Sequence, residues 1–186
     1  MNRMIHCESL LEHAAAVHFE LSPDVAEFEA QPMELIYYDH NGKAYRYFPD
    51  FWVRRTDGSE FFVEVKPYSR LLGMRMRLKL SLVALRFKAL GKEYRILTDR
   101  ELHAEPRFSN YQILARCLNN RSRNGELKRA KRIVQNGRFT TLGELIENLC
   151  DVQTAYRLII AGFIHVDHNQ PLSPNSVITH VQQEVS

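Results

Sequence analysis

Two hairpin turn signals set the frame for the first half of this chain. Asp39-His40-Asn41-Gly42 and Thr56-Asp57-Gly58 join residues that tolerate left-handed backbone to a glycine that adopts it freely. Between and after them lie residues 44–55 and 59–66, rich in the aromatic and β-branched side chains that favour extended backbone. With extended pieces over residues 25–38, interrupted at Gln31-Pro32, this stretch is expected to form an antiparallel meander. The period then changes. Residues 70–90 repeat with helical spacing and stop at Gly91, and Tyr94-Arg95-Ile96-Leu97-Thr98 reads as a strand returning parallel to the sheet. Ahead of the meander, residues 7–21 read as an amphipathic helix with Leu10, Leu11, Ala14, Ala15, Val17 and His18 near one face. Ser9 and Glu12 have capping-box spacing there. Helix, meander, helix and strand make an α/β core that closes near Thr98.

Beyond that core the pattern is helical. Residues 99–103 and 109–118 come first, followed by the basic stretch 121–135, helical or a linker. A helical pair at 141–149 and 152–161 leads to an extended piece at 164–167 and a loop with Pro171 and Pro174. Two helices with a terminal hairpin resemble a small winged-helix unit. The expected organisation is a core over residues 1–105 and a C-terminal domain over 106–186, with a basic linker at 121–135.

Charge is distributed unevenly. The formal net charge is +3, yet residues 1–66 carry −6, residues 67–140 carry +13 and residues 141–186 carry −4. A basic middle is the footprint of a polyanion, and an acidic first third suits a segment that gathers carboxylates around a divalent cation. Cys7, Cys117 and Cys150 are odd in number and widely spaced, which argues against a disulfide framework or a zinc knuckle. They are expected to be buried, reduced thiols of a cytoplasmic protein. No apolar run approaches the about 18–20 residues of a membrane span, and the N-terminus lacks a secretory signal.

The chemistry concentrates in the strands. Side chains alternate faces along a strand, so in Phe61-Phe62-Val63-Glu64-Val65-Lys66 the residues Glu64 and Lys66 share one face and Val63 and Val65 the other. The valine face is expected to enter the core, leaving Glu64 and Lys66 to project beside Asp50. Two convergent carboxylates and a backbone carbonyl, that of Val65, are ligands suited to a hard divalent cation. Lys66 would orient or deprotonate an attacking water, or steady a phosphate. Glu12, on the upstream helix, could present a third carboxylate, although on its own it reads as a surface residue. Arg70, Arg75, Arg77, Lys79 and Arg86 follow Lys66 directly and form a candidate DNA track, with Leu71, Met74, Leu78, Leu82 and Leu85 expected as core. A second basic cluster comprises Arg121, Arg123, Lys128, Arg129, Lys131 and Arg132, suited to phosphate contact.

The tail reads differently. Residues 152–161 offer only Gln153 and Arg157 for reading bases, within an acidic segment, so protein docking suits the tail better than DNA reading. Ile159, Ile160, Phe163 and Ile164 would serve docking where exposed, although most of them are expected in the tail's own core. His165 and His168 read as surface histidines.

Taken in order, Glu8-Ser9-Leu10-Leu11-Glu12, Gln31-Pro32, Tyr47-Phe48-Pro49-Asp50-Phe51, Glu64-Val65-Lys66 and Tyr94-Arg95-Ile96-Leu97-Thr98-Asp99-Arg100-Glu101, with Pro106-Arg107 and Asn110 beyond, resemble the PD-(D/E)XK nucleases. More narrowly they resemble the TnsA endonuclease subunit of heteromeric transposons. The resemblance implies a restriction-endonuclease-like α/β core, a mixed sheet flanked by helices. It implies Glu12, Asp50, Glu64 and Lys66 as the catalytic set and Mg2+ as cofactor, with Mn2+ as a substitute. It further implies hydrolysis at the 5′ ends of a transposon in double-stranded DNA. A separate transposase would cut the 3′ ends, and an AAA+ ATPase regulator would contact the C-terminal region. Two other readings stand beside it: a stand-alone phage or repair nuclease, and a non-catalytic DNA-binding assembly protein on a nuclease scaffold.

Overall fold

The computed structural model describes residues 7–118 and 124–181, which fall into two compact units divided between His103 and Ala104. Among the described residues no helix is long and apolar enough to cross a membrane.

In the first unit the capping pair forms in half: the Ser9 side chain caps the helix, but the Glu12 carboxylate takes the Glu8 amide instead of the Ser9 amide that a capping box uses. Helix α1 (Leu10–Leu21) starts at Ser9, whose Oγ accepts from the Glu12 amide at 3.1 Å, while Glu12 accepts from the Glu8 amide at 2.7 Å. The helix therefore begins three residues later than its periodicity predicts. Its buried face is Ala15, Ala16, Phe19 and Leu21, and Leu10 stands 91% exposed rather than on the inner face.

Strands β1 (Val25–Ala30), β4 (Phe51–Arg55), β5 (Glu60–Val65) and β6 (Glu93–Leu97) form one sheet in the order β1-β4-β5-β6. β4 pairs antiparallel with both β1 and β5, and β5 pairs parallel with β6. The crossover between β5 and β6 runs through helices α2 (Tyr68–Leu71) and α3 (Met74–Ala89). Strands β2 (Leu35–Tyr38) and β3 (Ala44–Tyr47) make a separate antiparallel ribbon. The single meander expected for residues 44–66 is thus corrected. Residues 44–55 break at Phe48-Pro49-Asp50, where Pro49 has no amide to donate, and the Asp50 carbonyl accepts from the Gln31 amide at 3.0 Å. The two turns that bound these strands have the same build, with Gly42 at φ +77° and Gly58 at φ +84° closing a short hairpin loop.

Both faces of the sheet are covered. On one, Phe28, Phe51, Val53, Phe61, Val63 and Val65 pack with Ala15, Ala16 and Phe19 of α1. On the other, Phe62 packs with Val83 and Phe87 of α3 and with Leu35, Tyr37 and Tyr47 of the ribbon. The ring of Phe87 stacks on Phe62 and on Tyr94, each at 4.9 Å between centroids. Helix α3 carries two apolar stripes, and the sheet takes the one with the aromatic ring: Leu80, Val83 and Phe87. Met74, Leu78 and Leu85, expected in the core, are instead 86%, 55% and 62% exposed.

Short helix α4 (Asp99–Leu102) closes the first unit. The second unit is helical. Helices α5 (Arg107–Leu118), α6 (Asn124–Asn136) and α7 (Leu142–Leu149) each pack against α8 (Val152–Ile160). A minimal antiparallel pairing of β7 (Ile164–His165) with β8 (His180–Val181) follows. The basic stretch 121–135, expected as helical or a linker, takes the helical alternative over its described residues, with Ala130 and Val134 buried; Arg121 and Arg123 lie outside the described residues. Ile159, Phe163 and Ile164 are buried, as expected of a core, so they offer no docking surface. Buried Asn110 clips the chain near residue 170, donating to the carbonyls of His168 (2.9 Å) and Gln170 (2.8 Å) and accepting from the Leu172 amide (2.8 Å). His168 is half-buried with its ring edge-on to Tyr111, not a surface histidine. Of the cysteines, Cys117 is buried, Cys7 is half-buried and Cys150 is exposed in a left-handed cap of α7, so the expectation of three buried thiols holds for one.

Asp151 starts α8 by accepting from the amides of Gln153 (3.0 Å) and Thr154 (3.1 Å). Asp151→Ala is expected to destabilise this unit by about 1–2 kcal/mol, read as a lower denaturation midpoint. An unchanged midpoint would show that the cap is dispensable.

Candidate active site

The strands set out the site. Asp50 sits at the entry of β4 and Glu64 near the end of β5, with Lys66 just beyond that strand. Cross-strand pairing of Phe51 with Val63 brings these segments side by side. The Asp50 carboxylate accepts from the Val65 amide at 2.6 Å through Oδ2, which fixes its direction. The Lys66 ammonium lies 2.9 Å from Glu64 Oε1 and 3.6 Å from Asp50 Oδ2, and donates to the Val65 carbonyl at 3.1 Å. Three oxygens thus converge on one point, and a cation occupies it.

This focus tests whether the residues fit a divalent metal. Its three oxygens are the two carboxylates and the backbone carbonyl named from the strand pattern, and all are hard ligands of the type magnesium takes. Among the described residues no group of three or more His, Cys, Asp or Glu side chains forms a metal cluster. The oxygens this focus could offer such an ion are two carboxylates and a carbonyl, with solvent left to complete the set.

Burial shapes the electrostatics. Glu64 projects beside Asp50 as expected but is only 2% exposed, because α3 and the β2–β3 ribbon cover the face it shares with Phe62. Burial, and then the Glu64 carboxylate beside it, push the Asp50 carboxyl up to about 6. Burial opposes the Lys66 charge, but attraction to Glu64 and then Asp50 outweighs it and holds the ammonium above its ordinary range.

Tyr47 and Tyr94 belong to the site although the strand pattern does not mark them. Tyr47 Oη donates to Glu64 Oε2, and Tyr94 Oη lies 3.0 Å from Tyr47 Oη. Burial first, and then Glu64, push both phenols upward, so both remain donors. No spacing rule flags a tyrosine three residues before an aspartate; the aromatic class alone reads as core.

The remaining candidates fall into groups. Glu12 is half-buried, and its carboxylate serves the helix cap, holding the Glu8 amide and the Ser9 hydroxyl (2.9 Å). It adds negative potential at Asp50 and at Lys66 without bonding to either. Arg70 on α2 and Arg75, Arg77 and Arg86 on α3 are exposed. Lys79 is half-buried, its ammonium 5.4 Å from the centre of the Tyr47 ring, which ties this flank of α3 to the carboxylates. Lys128, Arg129 and Arg132 are exposed on α6 in the second unit, while Lys131 lies over the Phe163 ring.

Residues 22–99 match the family model described as TnsA-like endonuclease N terminal. The match spans Asp50, Glu64 and Lys66 and excludes Glu12. A search of the curated proteins finds no significant match.

Proposed function

We propose that the chain is a metal-dependent DNA endonuclease of the PD-(D/E)XK type that cleaves the 5′ ends of a transposon during cut-and-paste transposition, a reading supported by the match of residues 22–99 to the TnsA-like endonuclease N-terminal family. The observation that carries this reading is the convergence of Asp50 Oδ2, Glu64 Oε1 and the Val65 carbonyl on the Lys66 ammonium. Those three oxygens would hold Mg2+ or Mn2+. Bound there, such an ion lowers the pKa of its water and offsets charge on the scissile phosphate. Asp50, tied to the Val65 amide, and Glu64, tied to Tyr47, keep both carboxylates pointed at the focus without rearrangement. A divalent cation held there would take the oxygens that the Lys66 ammonium now meets, which would leave Lys66 to hold the phosphate or the attacking water. Glu12 contributes negative potential to the focus and orders the start of α1 beside it.

Arg70, Arg75, Arg77, Lys79 and Arg86 provide the track for duplex DNA, and the flank through Lys79 abuts the carboxylate cluster. Lys128, Arg129 and Arg132 supply further phosphate contacts from the C-terminal unit, in which the α7–α8 pair and the short strand pair suit a winged-helix-like module. A separate transposase for the 3′ ends and an AAA+ regulator bound through the C-terminal region complete the proposed assembly.

The deciding test is cleavage of DNA bearing the element's ends, with Mg2+ or Mn2+, with and without the transposase. Metal-dependent 5′ nicking is expected. Equal cleavage of any DNA without a transposase would assign the chain to a stand-alone nuclease. Charge reversal at Arg75 and Lys79 is expected to weaken DNA binding and to lower the log–log salt slope by about 0.9 for each phosphate that is no longer neutralised. An unchanged slope in a salt titration removes α3 from the footprint.

A further inference from the structure

Buried tyrosines beside a carboxylate need a physical account. Tyr47 is 4% exposed and Glu64 2% exposed, and Tyr47 comes from the ribbon rather than from the sheet that carries Glu64. A carboxylate is an acceptor only, so Tyr47 must donate to Glu64 Oε2. With its own hydrogen committed, Tyr47 must accept from Tyr94 across 3.0 Å. The result is a directed chain, Tyr94 to Tyr47 to Glu64 Oε2, in which each bond polarises the next. The other oxygen, Oε1, is then left facing the Lys66 ammonium at 2.9 Å, beside the Asp50 and Val65 oxygens. The rings are held from their sides: Tyr47 packs edge-on to Tyr37 and Tyr94, and Tyr94 stacks on Phe87.

We propose that Tyr47, backed by Tyr94, is the positioning residue of the cation site, turning the Glu64 carboxylate so that Oε1 joins Asp50 and Val65 at a single focus. The assignment rests on the endonuclease reading and adds to it how one ligand is oriented. Groups that orient a metal ligand from behind typically change metal affinity by about 10–100-fold when removed. Tyr47 acts in the same way, although it touches neither metal nor substrate. Its ring also bears on Lys79, so the residue that aims the carboxylate is joined to the basic flank of α3.

The experiment is a titration of the full chain with Mn2+ alone, followed by calorimetry or by the metal-induced rise in Tm, and then by cleavage against metal concentration. Tyr47→Phe keeps the ring and its packing and removes only the hydroxyl. It is expected to raise the half-saturating Mn2+ concentration by about 10–100-fold while saturating metal restores most of the cleavage rate. Tyr94→Phe should move the half-saturation point less, in the same direction, and the double variant should match Tyr47→Phe, because Tyr94 acts through Tyr47. A purely structural role would lower the Tm of the metal-free protein and leave half-saturation unchanged. Wild-type half-saturation in Tyr47→Phe overturns the assignment alone. Absence of Mn2+ binding in the unmodified chain overturns the endonuclease reading, and the assignment with it.

Discussion

Asp50→Asn is expected to abolish metal-dependent cleavage, by more than about 1000-fold, and at the same time to stabilise the metal-free protein at neutral pH. The two effects have one cause. Asp50 is held among negative neighbours in a buried site, and its carboxyl is raised to about 6 from an ordinary 3.8. A carboxyl whose folded pKa is raised favours the folded state in its protonated form. That contribution is complete below the unfolded pKa near 3.8 and is lost as pH climbs through about 6. Two units correspond to at most about 3 kcal/mol, and with a side chain 16% exposed a figure of about 1–2 kcal/mol is expected after screening. Asparagine keeps an oxygen to accept from the Val65 amide and removes the charge. The metal-free variant should therefore melt higher than wild type at pH 7 and lose that advantage near pH 4. A lower melting temperature at pH 7, or undiminished cleavage, would refute the picture of a carboxylate strained by its neighbours for the sake of a cation.

Lys66→Met should act in the opposite sense on stability. Here the substitution removes the ammonium that offsets Glu64, a carboxylate 2% exposed, and also the nearby Asp50. Stripping one partner from a buried ion pair destabilises by about 3–5 kcal/mol; with Lys66 26% exposed, about 2–3 kcal/mol is expected in denaturant melts without metal. Mg2+ or Mn2+ should then restore more stability to Lys66→Met than it adds to wild type, because the variant has no ammonium to displace. Cleavage should be lost even at saturating metal. Equal metal-induced gains in the two proteins would show that ammonium and cation do not share the focus.

What was legible in the chain follows from range of interaction. The Ser9 side of the Ser9–Glu12 cap spans three residues and forms where its spacing predicts, while the return bond from Glu12 goes one residue further out, to the Glu8 amide. Both hairpin turns are local and appear where their glycines require left-handed backbone. The parallel return of β6 follows from the helix that precedes it. Errors begin where a choice depends on distant partners. Leu10 and Phe19 are both apolar residues of α1, but the sheet meets Phe19. Two stripes of α3 have equal periodicity, and the stack on Phe62 and Tyr94 selects the one with Phe87. Pro49 divides a stretch that alternates like one strand, because its neighbours pair with different partners on either side.

By itself the sequence determined the chemistry available: two carboxylates, a lysine two residues from one of them, and strand alternation that puts Glu64 and Lys66 on one face. Their direction follows from backbone geometry, which is local. Only the tertiary structure decided the surroundings. The ribbon carries Tyr47 over the sheet and α3 covers what would otherwise be an open face, so Glu64 is enclosed and hydrogen-bonded rather than solvated. Alternation tells which side of a strand a residue takes. What lies on that side is set by elements far along the chain, through burial they achieve together.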